Sequence, residues 1–212
     1  MKNIKTWIRW FVLAAVAVLS TGCAVGVKYQ LDTVAPDIST RSGSSLGLGV
    51  QDKREYVVSN NKPASFIGVM RSNAGIPYSV NTASGKPLAD EFTQAITTAL
   101  GSKGTKVTTV ALPLGTDEAA AISRVASAGQ KGLVLVVKEW KTDTYRNTWI
   151  EYDIQATVVD ASGKVVATKK LVGNDNLGTA SNSLDHARSA APAVFRKKIE
   201  ELFSAPEIAS NL

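Results

Sequence analysis

The chain has very few of the residues that build metal centres and nucleophilic sites. Its 212 residues include one cysteine, Cys23, and one histidine, His186. A lone cysteine cannot form an internal disulfide, and most metal centres and catalytic triads need further His or Cys side chains. We therefore predict no metal site, no cofactor and no enzymatic activity.

Positive charge is scattered along the chain after residue 22, with one local run at Arg196–Lys198. The formal net charge is +6, and the first 22 residues contribute three basic and no acidic side chains, so the remainder carries +3. Scattered charge of this size does not form a nucleic-acid footprint, and no nucleic-acid partner is predicted. The run Arg196–Lys198 lies near Glu200 and Glu201 and is predicted to be a solvated helix face.

The longest apolar run near the start of the chain is too short to span a bilayer. It extends from Trp10 to Leu19, follows a basic head, and ends in Ser20, Thr21 and Gly22 before Cys23. This order is typical of an export signal rather than of a membrane helix. We predict a signal peptide over residues 1–22 and a location in the bacterial envelope.

The junction at Cys23 resembles the lipobox of bacterial lipoproteins. Gly22 and Cys23 fit that pattern, although Ser20 stands where Leu is usual. The resemblance implies a lipid anchor on Cys23, and Ala24 in place of Asp implies the outer membrane, facing the periplasm. The alternative is plain secretion, because Ser20 and Gly22 also satisfy the small-x-small rule of ordinary signal peptidase.

Downstream of Cys23, polar and turn-forming residues crowd the stretch from Asp32 to Ser45. We predict a lipidated N-terminus and flexible tether over residues 23–44, able to reach about 70 Å when extended. Residues 45–212 have a suitable length for one periplasmic domain with one core.

Apolar periodicity within residues 45–212 alternates between the strand and the helix pattern. It predicts an α/β (α+β) fold: a two-layer sandwich with a mixed, mostly antiparallel sheet and about three helices on one face. The last helix contains Pro192, which is tolerable only near a first turn. The strands are predicted at Leu46–Gln51, Phe66–Arg71, Lys106–Leu112, Leu133–Val137, Trp149–Val159 and Lys164–Val172, and the helices at Leu88–Leu100, from a Thr116 cap to Ala128, and from Leu184 or Ser189 to Phe203.

Several short segments stand in the order found in one family. They are Val50–Arg54 after the first strand, Glu139–Trp140 at the end of an apolar strand, Tyr152–Asp153, and the hairpin connection Asp160–Gly163. With the lipobox, they make the chain similar to the YajG-type bacterial lipoproteins. The resemblance implies an envelope location and this architecture, and it implies no reaction.

Candidate catalytic groups have simpler structural explanations. The segment Gly43–Gly47 matches G-x-S-x-G, but that motif needs a helix after the serine and here a strand is predicted. His186 beside Asp185 is predicted to be a helix-entry histidine without a nucleophile. Asp117 and Glu118 suit the first turn of a helix, and Asp52 with Glu55 would flank an exposed strand end.

An aromatic cluster is the best candidate for recognition. Trp140, Tyr145, Arg146 and Trp149 fall within ten residues around one predicted loop, and these side-chain types dominate binding hot spots. The alternative is that Trp140 and Trp149 pair across adjacent strands and stabilise the hairpin.

Two functions remain open from the sequence. The first is a non-catalytic, lipid-anchored module that holds an envelope protein partner through the aromatic cluster. The second is a small-molecule or lipid-binding accessory of an envelope transport system, with an enclosed apolar pocket above about 300 Å³ between sheet and helices or near Ile76–Val80. The oligomeric state is left open, since an exposed sheet edge can pair with itself.

Overall fold

The computed structural model describes residues 26–38, 45–180 and 183–212, so the predicted signal peptide, Cys23 and Ala24 lie outside the described residues. The strands are β1 (Val27–Tyr29), β2 (Ser45–Asp52), β3 (Phe66–Arg71), β4 (Pro77–Thr82), β5 (Lys106–Thr109), β6 (Lys131–Thr144), β7 (Asn147–Asp160) and β8 (Val165–Thr179). The helices are α1 (Glu55–Val58), α2 (Leu88–Ser102), α3 (Glu118–Ala126), α4 (Ser183–Ser204) and α5 (Pro206–Ala209).

Strand β6 is the spine of a single curled sheet. Its whole length pairs antiparallel with β7, and its other edge is shared by β2 and then β3, both parallel to it. The sheet continues from β2 to β5, from β3 through β4 to β1, and from β7 to β8. The predicted α+β class and mixed sheet are therefore confirmed, whereas the prediction of a two-layer sandwich with a mostly antiparallel sheet was wrong, because the sheet curls into a half-barrel and several of its strand pairs are parallel.

Helices cover both faces of this sheet. Leu133, Leu135 and Val137 of β6 face a main core with α2 and α4, whereas Val134 packs with α3 on the opposite face. The prediction that the helices share one face was wrong. An apolar strand such as Leu133–Val137 needs cover on both sides, and α3 supplies the second.

The approach of α3 depends on glycines in the sheet. Gly47 of β2 and Gly132 of β6 are register partners under this helix. A Cβ atom on Gly47 would overlap the carbonyl oxygen of Val125, and one on Gly132 would press against the Val125 side chain. The missing side chains therefore let α3 lie directly on the backbone of the sheet.

The three main helices follow their predicted patterns with two differences. Helix α2 buries the apolar stripe from Leu88 to Leu100, as predicted. Asp117 rather than Thr116 caps α3, because its carboxylate accepts a hydrogen bond from the Ala120 amide at 2.7 Å. Pro192 lies inside α4 and not near its first turn, so that prediction was also wrong.

The segment before β2 is not a free tether over its described length. Strand β1 pairs parallel with β4, and Tyr29, Leu31 and Ile38 are buried in the main core. The sequence predicts flexibility here because these apolar residues follow no local period, yet each finds a contact on the folded domain. The tether prediction is thus corrected for residues 26–38. No helix among the described residues is long and apolar enough to cross a bilayer.

Candidate functional site

The predicted aromatic cluster is divided between the two faces of the β6–β7 hairpin. Trp140 pairs across the strands with Tyr152, and Trp149 pairs with Asp143. Because partners directly opposite share a face and successive residues alternate, Trp140 and Trp149 point in opposite directions. The alternative prediction that these two tryptophans pair with each other was wrong.

Trp140 is a core residue. Its side chain is 2% exposed, and its ring meets those of Phe92 and Phe195 edge-on at centroid distances of 5.3 and 5.8 Å. It therefore ties α2 and α4 to the sheet and is not available to a partner. The prediction that Trp140 belongs to a binding surface is corrected.

Tyr145, Arg146 and Trp149 remain exposed around the β6–β7 turn. The neighbouring β3–β4 turn adds Ile76 and Tyr78, each 54% exposed. We call these five residues the tip surface; they share one end of the sheet, with Tyr78 on the face of Met70 and Trp149 on the opposite face. The sequence predicts the first three as a partner-binding cluster and places Ile76 and Tyr78 near an alternative ligand site, because only the pairing of β3 with β6 brings the two turns together.

Two polar contacts join the turns. The Tyr145 hydroxyl donates a hydrogen bond to the carbonyl oxygen of Asn73 at 3.2 Å. Near the ends of β3 and β6, just before the turns, the Arg71 guanidinium donates hydrogen bonds to both carboxylate oxygens of Asp143, at 2.9 and 2.6 Å. The hydrogen bond from Arg71 to Asp143 raises the pKa of Arg71, so the pair stays charged. These two contacts therefore hold the β3–β4 and β6–β7 turns next to each other.

A separate cleft of about 480 Å³ opens where β2 ends. The N-terminus of α2 forms one wall and the chain after β5 forms the other. The alternative prediction was an enclosed pocket between sheet and helices, but this cleft is open and lies away from Ile76–Val80. Its apolar lining consists of Val50, Ala64, Pro87, Ala89, Val110, Ala111, Leu112, Pro113 and Leu114.

A buried ion pair forms the floor beside this cleft. Asp52 lines the cleft, and its carboxylate accepts two hydrogen bonds from the Arg54 guanidinium, at 2.9 and 2.6 Å. Arg54 is fully buried and also donates to the carbonyl oxygens of Ala64 and Phe66. Asp52 is therefore a structural group. The sequence predicts an exposed charge at the strand end, and that prediction was wrong.

Further contacts lie where β2 ends and β3 begins along the same edge of β6. The Tyr56 hydroxyl donates to the Glu139 carboxylate at 2.6 Å, and that carboxylate also accepts the Trp140 amide at 2.9 Å. Burial raises the pKa of Tyr56, which keeps its hydroxyl a donor. The segments Val50–Arg54 and Glu139–Trp140, which carry the family resemblance, therefore meet at one structural junction.

Sequence reasoning missed a buried lysine on α4. Lys198, predicted to be solvated, is 4% exposed. Its ammonium group donates to the Tyr152 hydroxyl at 2.9 Å and pairs with Asp175 at 2.9 Å and Glu201 at 3.1 Å. It joins α4 to β7 and β8. Only the faint amphipathic period of α4 could have placed position 198 toward the sheet.

The remaining candidate catalytic groups do not converge. Asp185 is exposed and lies 3.8 Å from Arg188, while Nε2 of His186 is buried near Gly178. Within the described part of the chain, no three His, Cys, Asp or Glu side chains are grouped to hold a metal ion. Ser45 opens strand β2, so a strand and not a helix follows the G-x-S-x-G letters.

Comparison with known proteins gives no family assignment. No protein-family model and no curated protein matches the chain. The YajG-type resemblance therefore stays a prediction.

Solved structures with partial likeness include protein XCC0632 of Xanthomonas campestris, a DUF330 protein, at 15% identity over 87% of this chain and 93% of that one, with a TM-score of 0.49. The PelC dodecamer of Paraburkholderia phytofirmans is 16% identical over 79% and 92%, with a TM-score of 0.36. Lipoprotein GNA1162 of Neisseria meningitidis is 16% identical over 74% and 99%, with a TM-score of 0.30.

Proposed function

We propose that this chain is an envelope lipoprotein, anchored in the outer membrane through Cys23, that acts as a non-catalytic accessory module facing the periplasm. The observation that carries the proposal is the export pattern ending in Gly22–Cys23, followed directly by a strand that belongs to the folded domain. A diacyl or triacyl anchor makes membrane attachment effectively permanent, since each buried methylene contributes about 0.8 kcal/mol.

The position of β1 supports a close anchor. Cys23 precedes Gly26, the first described residue, by three peptide units, which span at most about 11 Å. Val27 and Tyr29 are already in register with Val80 and Thr82 of β4. A lipid on Cys23 would therefore hold the sheet next to the membrane, in place of the long tether that the sequence predicts.

The non-catalytic part of the proposal is supported by what the polar groups already do. Asp52 neutralises Arg54, Asp117 caps a helix, and Lys198 joins three partners in the core. Each of these three groups is engaged in a structural contact and is not free to act as a general acid or base.

The anchor is tested by mass spectrometry of the N-terminal peptide and by membrane fractionation. We expect wild-type protein in the membrane fraction with an acylated Cys23, and Cys23→Ser in the soluble periplasmic fraction. Ser20→Leu restores the usual lipobox residue and should speed processing, with Ser20→Ala as the matched small-residue control. An unmodified Cys23 in wild-type protein would exclude the anchor.

The choice of membrane is tested separately at the residue after the cysteine. Ala24→Asp should retain the lipoprotein in the inner membrane, whereas Ala24→Ser should leave it in the outer membrane. Wild-type protein and Ala24→Ser in the inner-membrane fraction of a density gradient would contradict the outer-membrane assignment.

The cleft supports a second candidate function, the binding of a small apolar molecule. Its volume of about 480 Å³ suits a ligand of modest size, and its walls are mainly apolar. Asp90 and Thr93 of α2 add polar groups at the rim. The candidate predicts a stoichiometric small molecule that purifies with the protein from membranes.

Filling the cleft tests this second candidate. Thr93→Phe places a ring in the cleft, whereas Thr98→Phe places the same ring on an exposed position of the same helix. Native mass spectrometry should detect a bound molecule in wild-type protein and in Thr98→Phe but not in Thr93→Phe. No mass increment in wild-type protein would exclude a retained ligand.

A further inference from the structure

We propose that the tip surface rests on the lipid bilayer that anchors Cys23, so that the domain has a fixed orientation on the membrane. This inference rests on the proposed lipid anchor and goes beyond it, because an anchor alone would leave the domain free to rotate. It assigns Ile76, Tyr78, Tyr145, Arg146 and Trp149 to contact with the acyl and headgroup boundary of the membrane.

The first step is the direction of β1. Strand β4 starts at Pro77, directly after the β3–β4 turn, and runs away from the tip surface. Strand β1 is parallel to β4, with Val27 opposite Val80. The chain that precedes Val27 therefore points toward Pro77 and the tip surface, and Val27 itself lies only about 10 Å along the strand from the level of Pro77.

The second step is the reach of the lipid. Gly26 still runs beside β4, since a Cβ atom on it would lie 3.9 Å from the carbonyl oxygen of Ser79. Cys23 is three residues further back, within about 11 Å of Gly26. Strand β6, which leads into Tyr145, is three strands from β1, or about 14 Å across the sheet. The lipid and the tip surface thus occupy the same end of the domain.

The third step is the chemistry of the tip surface. Tryptophan and tyrosine side chains favour the boundary between headgroups and acyl chains, isoleucine favours the acyl region, and arginine is attracted to anionic lipid headgroups. Tyr145 and Trp149 are 40% and 42% exposed, and the Arg146 guanidinium lies 5.9 Å from the Tyr145 ring centroid. The nearby carboxylate of Asp143 is neutralised by Arg71, which lowers its repulsion from anionic lipid.

The opposite end of the sheet supplies a control position. The β7–β8 connection lies about 33 Å from Trp149 along β7, and Val165 is exposed there. This end carries an exposed aliphatic residue but points away from Cys23. A probe at Val165 should therefore remain in water if the domain rests on its tip.

The mature chain is well suited to a fluorescence test. Trp7 and Trp10 lie in the predicted signal peptide, so only Trp140 and Trp149 remain after processing. We would reconstitute the lipidated, full-length mature protein into phosphatidylethanolamine vesicles that contain phosphatidylglycerol, prepared with ordinary or with brominated acyl chains. Bromine quenches only those tryptophans that contact the acyl region.

We expect brominated lipid to remove most of the Trp149 emission. Trp149→Phe leaves Trp140 as the only tryptophan, and its emission should not change between the two lipids. Adding Val165→Trp to Trp149→Phe places a tryptophan at the far end, and this protein should also be unquenched.

The failures of the two proposals can be told apart. An acylated Cys23 with unquenched Trp149 overturns the docked orientation and leaves the anchor intact. An unmodified Cys23 overturns both. A photo-crosslinking amino acid at Tyr145 gives an independent readout: capture of lipid supports docking, and capture of one specific protein instead overturns it in favour of a protein partner.

Discussion

Trp140 and Trp149 lie nine residues apart in one hairpin and point to opposite faces of the sheet. The first is 2% exposed against Phe92 and Phe195, and the second is 42% exposed at the tip. Two residues of the same type, close in sequence, therefore serve different parts of the molecule. Trp140 holds the helices on the sheet, and Trp149 belongs to a surface.

Because only Trp140 is buried, replacing the two tryptophans with alanine should lower the free energy of unfolding by different amounts. Trp140→Ala should lower the free energy of unfolding by about 3–5 kcal/mol, because it leaves a cavity between two helices and the sheet. Trp149→Ala should change it by less than about 1 kcal/mol, since the ring already contacts solvent. Urea denaturation followed by circular dichroism measures both, and similar losses would contradict the assignment.

A β-bulge explains why the sequence misplaced Trp140. Leu133, Leu135 and Val137 face the main core, so strict alternation would turn Trp140 outward. The register of β6 against β7 shifts between Val137 and Glu139, and this extra residue turns Trp140 inward. Regular alternation is visible in a sequence, as in the correctly predicted β7, but a bulge within an apolar strand is not.

Contacts between distant segments were equally hidden. The position of Cys23 after its apolar run is a local pattern and can be recognised directly. The three-residue strand β1 carries no such pattern, because its parallel partner β4 lies about fifty residues further along the chain. The tip surface likewise depends on the pairing of β3 with β6, so neither the pairing of β1 nor the proximity of the two turns could be predicted.

Replacing glycine with alanine should have opposite effects on stability at a crowded and at an open position. Gly47→Ala should destabilise the protein by about 1–3 kcal/mol, since its methyl group would overlap the Val125 carbonyl. Gly101→Ala lies in α2 with open space around it and should stabilise the protein by about 0.5–1 kcal/mol. Thermal unfolding of the pair checks this, and destabilisation by both would contradict it.

The buried Lys198 should make the free energy of unfolding depend on pH in the alkaline range. Burial acts to lower the pKa of Lys198, but hydrogen bonds to Tyr152, Asp175 and Glu201 outweigh it and raise the pKa above 10.5. The charged form is therefore favoured by folding. Its contribution is complete below the unfolded pKa and is lost as pH rises through the folded pKa.

We expect Lys198→Met to cost about 1–3 kcal/mol at neutral pH, reduced by the partial exposure of both carboxylates. The difference from wild type should shrink as pH rises above about 10.5. Lys197→Met, on the exposed side of α4, is the matched control and should have little effect. A pH-independent difference would show that packing, and not charge, accounts for the loss.

Glu91 should lower the free energy of unfolding when it is ionised, in contrast to Lys198, whose charged form is stabilising. Its side chain is buried, Ser84 donates a hydrogen bond to one carboxylate oxygen, and the other oxygen has no partner. Burial raises the pKa of Glu91, and the charges of Asp32 and Asp90 add to that effect. The ionised form is thus disfavoured by folding, so its penalty applies above the folded pKa and disappears below the unfolded one.

Glu91→Gln removes this charge while keeping an acceptor for Ser84. It should raise the free energy of unfolding by about 1–2 kcal/mol at neutral pH, where wild type carries the buried charge. The gain should vanish below about pH 4.5, where Glu91 is neutral in both states. Asp90→Asn, exposed in the same helical turn, should instead destabilise by a few tenths of a kcal/mol through the helix dipole. Denaturation series across this pH range measure both variants, and a gain that persists in acid would mean that it comes from packing or hydrogen bonding and not from the buried charge.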